Sequence, residues 1–246
     1  MVDHGSRMTL AHAKRLATVL VDLLAPACER IEVAGSIRRL KPHPNDIELV
    51  AVPTLQATLV ALQKDMFGYD AGDTVQVGPC NLLNTLCDEL LKEGVLEQRT
   101  DKRGRHCWGT GIKRMVLFTN GDHAPVDLFQ VIEPREWGVI FAIRTGPGDF
   151  NRLLVTNQWL GGVCPKDRKV AGGRVWGLGE SPSEQQVWAR MPATKFAKLA
   201  EQSLLLPLFP TPAEEDFFRQ LGVPCWPPEE RTLQHLQAHL RRTAGR

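Results

Sequence analysis

The chain has 246 residues, 43% of them hydrophobic and 24% charged, with a net charge of +2. That is ordinary globular composition, long enough for one large domain or two small ones with cores of their own. No run reaches the roughly 18 consecutive apolar residues of a membrane span, and so small a charge excess does not by itself mark a nucleic-acid binder.

Met1 to Arg7 reads as an artificial extension, with Met8 as the natural initiator. Residues 8–25 carry Leu10, Ala13, Leu16, Ala17, Leu20, Leu23 and Leu24 at helical spacing, and Pro26 stops that helix. Ile31 to Ala34 alternates like a short strand and runs into Gly35-Ser36. After Pro42 and Pro44, a second strand runs from Asp46 to Val52 and ends at Pro53. Residues 55–65 read as a short helix. Asn81 to Glu93 reads as a better one, with Gly94 as its stop. From Val95 to Val131 the pattern is a β-meander with a basic, Gly-rich turn at 103–111, and Asp127 sits on its strand from Ala124 to Ile132.

Beyond a soft boundary near residue 137, Gly138 to Arg144 fits a helix or a strand. Thr145 to Gly148 is a tight turn, and Asp149 caps a helix reaching about Gln158. Residues 161–182 are Gly-rich and loop-like. Thr211-Pro212-Ala213-Glu214 reads as a helix start, with Thr211 as cap and Pro212 at the first helical position.

Cys28, Cys80, Cys87, Cys107, Cys164 and Cys225 form no Cys-x-x-Cys pair, which suits reduced thiols in a cytosolic protein. Positive charge is clustered: Arg38, Arg39 and Lys41; then Lys102, Arg103, Arg105, Lys113 and Arg114; then a basic tail of Arg241, Arg242 and Arg246.

The chemistry concentrates in Gly35-Ser36, followed after a gap by Asp46-Ile47-Glu48. Strand residues two apart share a face, so Asp46 and Glu48 project together. Two such carboxylates repel unless a cation sits between them, and hard oxygen donors suit Mg²⁺ or Mn²⁺ shared with substrate phosphates. A second ion needs a further carboxylate, for which Asp127, between Val126 and Leu128, is the best candidate. Gly35 lets backbone N–H groups approach a phosphate, the Ser36 hydroxyl donates, and Arg39 offers a bidentate clamp.

Val33 to Arg39 followed by Asp46-Ile47-Glu48 resembles the palm signature of family X DNA polymerases, the DNA polymerase beta-like group. Pro125 to Leu128 resembles the strand bearing that family's third catalytic aspartate. Gly138 to Phe141, Thr145-Gly146 and Asp149-Phe150-Asn151 are similar to its segment for the incoming nucleotide. Thr211 to Arg231 is similar to its C-terminal helix and tail. The resemblance implies that Asp46, Glu48 and Asp127 bind two Mg²⁺ (or Mn²⁺) ions and carry catalysis. It also implies that Gly35, Ser36, Arg39, Thr145, Gly146, Asp149 and Asn151 bind a (d)NTP, and that Arg105, Lys113 and Arg114 follow the DNA primer–template backbone. The fold it implies is α/β (α+β): an N-terminal helix and a nucleotidyltransferase palm with a small mixed sheet and helices on one side over 8–137, then a C-terminal α/β nucleotide-binding subdomain with a basic tail over 138–246.

Four departures stand out. Glu48 occupies a position that is usually Asp, Ile143-Arg144 replaces an aromatic pair, two extra residues fall between Gly138 and Asn151, and Pro125 stands where Arg is common. Nothing in the 246 residues resembles the family's N-terminal lyase domain, so lyase chemistry is not expected of them. The expected activity is nucleotide addition to a primer 3′-hydroxyl in DNA repair or replication, by a monomer in a cytoplasmic, nucleoid-associated or viral setting. A template-independent or small-molecule nucleotidyltransferase is the alternative enzyme. The intact carboxylate trio argues against a non-catalytic nucleic-acid binding module.

Overall fold

The computed structural model describes residues 8–61, 74–100, 103–109, 111–119, 122–203 and 206–244. Helix α1 (Leu10–Leu24) starts where the Thr9 hydroxyl accepts from the His12 N–H, and it buries Ala13, Leu16, Ala17, Leu20 and Leu24. It ends in a 3₁₀ turn holding Pro26. Strand β1 (Cys28–Val33) leads into the short α2 (Gly35–Arg38), and β2 (Ile47–Pro53) returns antiparallel to β1.

Strands β3 (Leu55–Ala61) and β4 (Thr74–Asn81) form an antiparallel hairpin. The short helix expected over 55–65 is therefore a strand up to Ala61, and 62–65 lie outside the described residues. Leu, Gln and Ala are good helix formers, but intrinsic propensity is worth only tenths of a kcal/mol per residue, on the order of what cross-strand pairing overrides. Helix α3 (Leu82–Lys92) is capped by the Asn81 side chain and stops before Gly94, whose φ of 73° is left-handed. Strands β5 (Leu96–Gln98), β6 (Ile112–Thr119) and β7 (Asp122–Gln130) complete the meander.

The resulting sheet has the order β1-β2-β7-β6-β5, with β2 and β7 parallel. One face is apolar apart from the buried Lys113: Ile47, Leu49, Ala51, Met115, Leu117, Val126 and Leu128 pack with α1 and α3. The other face is divided. Val50, Val52, Phe129 and Val131 are covered by Trp137 and Phe141 of α4 (Trp137–Thr145), while the end bearing Glu48 and Asp127 is not part of that apolar cluster. Helices thus lie on both sides of the sheet, not one.

The rest of the chain adds α5 (Gly148–Val155), the hairpin β8 (Arg168–Ala171) and β9 (Arg174–Gly177), α6 (Pro182–Arg190), α7 (Ala193–Ser203), β10 (Leu208–Phe209), α8 (Glu214–Gln220) and α9 (Leu233–Ala244). The Gly-rich stretch read as a loop contains that hairpin. Gly172 and Gly173, both at positive φ, make its two-residue turn. Pro147, not Asp149, occupies the cap position of α5. Likewise α8 begins at Glu214 after Ala213, whose N–H donates to Asp216. Thr211 instead pairs its backbone with Arg135 and Gly138. Gly138 has to be glycine there, because a Cβ would lie 2.0 Å from the Ala213 carbonyl oxygen. Among the described residues no helix is long and apolar enough to cross a membrane.

Candidate active site

The parallel pairing of β2 with β7 sets Glu48 directly beside Asp127. Asp46 precedes β2 by one residue and shares the Glu48 face. The three expected carboxylates therefore meet at one end of one sheet face. Their fields reach one another. Burial and the neighbouring Asp127 raise the Asp46 carboxyl, and burial together with Asp46 pushes Glu48 up to about 7.

Gly35 lies against this cluster. Its φ is 62°, and a Cβ there would sit 1.8 Å from Glu48 Oε2. The glycine thus makes room for a carboxylate, where the sequence pointed to room for a phosphate. Ser36 follows in the first turn of α2, and its carbonyl accepts from the Lys41 N–H at 3.0 Å. Between them Leu40 adopts φ 57°, a left-handed conformation that is costly for leucine and typical of functional turns.

Four arginines surround the carboxylates. Arg39 and Arg144 act on Glu48 through space; Arg39, Arg99 and Arg114 act on Asp46. Direct contacts among the described residues fall on Asp127 alone: Arg99 donates at 2.5 Å and Arg114 Nε lies 3.4 Å away. Arg144 stacks over Phe129 at 3.8 Å. Arg99 and Arg144 were missed as site residues in the sequence. Arg99 lies just past β5, and no local spacing connects it with Asp127.

Carboxylate oxygens are the hard donors that a divalent cation such as Mg²⁺ prefers. The cluster is not a closed cage. Among the described residues no three His, Cys, Asp or Glu side chains converge closely enough to hold an ion. Asp46 and Glu48 stand ready as a pair, which suits an ion that draws its remaining ligands from phosphates and water. Asp127 already accepts from Arg99 through Oδ1, and its carboxylate keeps lone pairs for a further partner.

The other expected residues divide. Thr145 is fully buried; its hydroxyl accepts from Arg38 at 2.8 Å and its carbonyl from Arg39. A Cβ on Gly146 would meet Asn151 Oδ1 at 2.3 Å. Asn151 is turned inward, donating to the carbonyls of Ile143 and Gly146 at 2.6 and 3.0 Å. It ties α4 to α5, an arrangement that leaves its amide little freedom to read a base edge. Asp149 is exposed and lines a cleft with Arg39.

The expected DNA contacts also separate. Lys113 and Arg114 are consecutive on β6 and so face opposite ways. Arg114 points at Asp127. Lys113 is 3% exposed, on the side of α3, with its ammonium 4.5 Å from the Trp108 ring centroid. It cannot follow a nucleic-acid backbone from there. Arg105 is exposed on the loop before β6, and Lys102 lies outside the described residues.

Arg38 makes a second ionic cluster that the sequence reading did not foresee. It grips Glu214 through both nitrogens at 2.9 and 2.8 Å and stacks on Phe141 at 4.0 Å. Arg231, 1% exposed in its side chain, closes the cluster on Glu214 at 2.6 Å. This bond network clamps α2 to α8.

No family model matches the chain, and no curated protein matches its sequence. Among solved structures, that of Leishmania infantum polymerase beta, in a ternary P/T complex, is similar with a TM-score of 0.60 at 15% identity, over 93% of this chain and 77% of that one. At that identity the likeness speaks for the fold: this chain is built on the polymerase beta architecture.

Proposed function

We propose that this protein is a metal-dependent nucleotidyltransferase that adds nucleotides from a nucleoside triphosphate to the 3′-hydroxyl of a DNA primer, a minimal family X-type polymerase serving repair or replication. The observation that carries this reading is the in-register pairing of Glu48 with Asp127 on the sheet face that Asp46 shares. The fold neighbour, solved as a ternary P/T complex, supports DNA and nucleotide as partners.

Asp46 and Glu48 would hold Mg²⁺, and Asp127 would share a second ion. Bound there, the ions would neutralise phosphate charge and acidify the attacking hydroxyl. The side chains do the rest. Arg39, fixed through the Thr145 carbonyl, orients the phosphates. Ser36 donates one further hydrogen bond to them. Asp127 accepts the proton of the 3′-hydroxyl. Arg144, held over Phe129, stands next to Glu48 and favours its charged form.

Primer extension on single-stranded, recessed and gapped DNA, with each dNTP and NTP and with Mg²⁺ or Mn²⁺, tests this directly. Extension of the recessed or gapped primer, abolished by chelation and by Asp46→Asn, is the expected result. Extension of single-stranded DNA alone would identify a template-independent enzyme. No transfer to any DNA end with either metal would overturn the proposal.

A further inference from the structure

Of the four arginines around the carboxylates, three are engaged. Arg39 donates to the Thr145 carbonyl, Arg99 donates to Asp127 at 2.5 Å, and Arg114 lies 3.4 Å from the same carboxylate. Arg144 is different. Its guanidinium sits over the Phe129 ring at 3.8 Å and donates to no described residue, and the residue is exposed. Phe129 follows Asp127 by two residues on β7, so it shares the face on which Asp127 pairs with Glu48. Arg144 feels both of those carboxylates through space, whereas Arg39 feels Glu48 and Asp46. The two arginines thus meet the acidic cluster from its Asp127 end and its Asp46 end. The backbone around Arg144 is pinned: Asn151 donates to the carbonyls of Ile143 and Gly146, while Arg38 and Arg39 hold Thr145. An aromatic residue is usual at this position of the resembled pattern, so the resemblance assigns Arg144 no role.

We propose that Arg144 is a catalytic residue, its guanidinium donating to the non-bridging oxygens of the phosphate that is transferred. The proposal rests on the function stated above. With Glu48 and Asp127 paired in register, a phosphorus that reacts beside Asp127 lies next to both. A cation that faces both carboxylates therefore faces that phosphorus, while Arg39, toward Asp46, meets the outer phosphates. In the transfer the 3′-oxygen bonds to the α-phosphorus and the hydroxyl proton goes to Asp127. The bond from that phosphorus to the oxygen bridging to the β-phosphate breaks, and pyrophosphate leaves with the electron pair. Between these events charge spreads over the equatorial oxygens of the α-phosphate. A guanidinium fork fixed in advance matches two such oxygens and needs no reorganisation as the charge develops. Stacking on Phe129 fixes the plane of the fork and leaves its N–H edge free. An aromatic side chain in this place would offer no comparable donor.

The test is single-turnover extension of a recessed primer by the full chain with Mg²⁺, beside titrations with the primer and with an α,β-methylene nucleoside triphosphate, which cannot react. Arg144→Ala should slow transfer by about 10²-fold while both affinities move less than about threefold, as for a donor used in the transition state alone. Arg144→Lys should recover little, since an ammonium lacks the planar fork, and added guanidinium should speed the Ala variant at least about fivefold. The retained affinities and this rescue show that the variant is folded. Sulfur in place of a non-bridging α-oxygen should slow the wild type more than the Ala variant, a difference that a purely structural role does not produce. Transfer by Arg144→Ala within about threefold of wild type, or a loss confined to primer or triphosphate affinity, would overturn this inference and leave the proposed function standing. Absence of transfer by the wild-type protein would overturn both.

Discussion

Arg38 and Arg39 are chain neighbours, yet they serve ionic clusters of opposite character. Arg38 belongs with Glu214 and Arg231, where every partner is in direct contact. Burial there would raise the Glu214 carboxyl, but hydrogen bonds from Arg231 and Arg38 outweigh it and hold the group below its ordinary value. Arg39 faces Asp46 and Glu48, which feel several arginines through space and accept no direct bond from them among the described residues. There burial wins, and Glu48 rises to about 7. A saturated cluster fastens the molecule together. A cluster with open oxygen lone pairs is what a cation or substrate requires, and strained ionisation of that kind gathers at functional sites. The contrast separates structural from chemical charge within one short segment.

Removing a member of each cluster should therefore damage different quantities. The largest effect is expected from Asp127→Ala. Transfer should fall at least about 10³-fold, roughly 4 kcal/mol of barrier, while triphosphate affinity stays near wild type because Ser36, Arg39 and the Asp46–Glu48 pair remain. Single-turnover kinetics alongside ligand titration measures both, and a variant keeping a tenth of wild-type turnover would rule Asp127 out as third carboxylate.

Next in size is Glu214→Ala, which leaves Arg231 buried and unpaired. A loss of about 3–5 kcal/mol in chemical denaturation is expected. Glu214 also has a pH signature. Its folded value lies below the ordinary 4.5, so its contribution is full above 4.5 and disappears as the pH falls through the depressed value. Glu214→Gln should remove that acid limb from the stability curve. A variant as stable as wild type would mean that the clamp contributes nothing.

Glu48→Gln sharpens the comparison from the other side. Without metal it should leave stability unchanged or raise it, since it removes a charge that burial opposes, and Mg²⁺ should then no longer lift the melting temperature. Its strand neighbour Leu49, fully buried on the apolar face, should cost about 2–5 kcal/mol when cut to Ala. Equal destabilisation by both changes would contradict the division between the two faces.

The smallest effect concerns salt. If the exposed Arg105 meets a DNA phosphate, Arg105→Ala should reduce the slope of log affinity against log salt by about 0.9, uniformly across sequences. Lys113→Ala should leave the slope alone, because Lys113 faces α3.

Much of the carboxylate cluster was legible because its logic is local. Alternation along one strand puts Asp46 with Glu48, and an apolar setting puts Asp127 on a sheet. The Glu214 clamp was not legible, because its three members come from distant segments and only the packed fold joins them. Lys113 was misjudged although period-two alternation already separated it from Arg114. The hairpin at Gly172-Gly173 was also in plain sight as a paired-glycine turn between apolar runs. By contrast, nothing in residues 55–61 announced a strand, since those residues suit a helix equally well until β4 pairs with them. Thr211-Pro212 imitated a helix start whose real position, two residues later, is set by the bond between Ala213 and Asp216.

The parallel pairing of β2 with β7 also bears on how the protein is made. Between those strands the chain runs through β3, β4, α3, β5 and β6 before it returns. At a synthesis rate of about 5–20 residues per second, Asp46 and Glu48 wait several seconds on the ribosome before Asp127 exists. Throughout that interval β2 has β1 on one side and a bare hydrogen-bonding edge on the other, with Leu49, Val50, Ala51 and Val52 lacking half their cover. Such an edge recruits foreign strands. Any nascent or cleaved fragment that stops short of β7 is accordingly expected to aggregate, and arrival of β7 covers that edge.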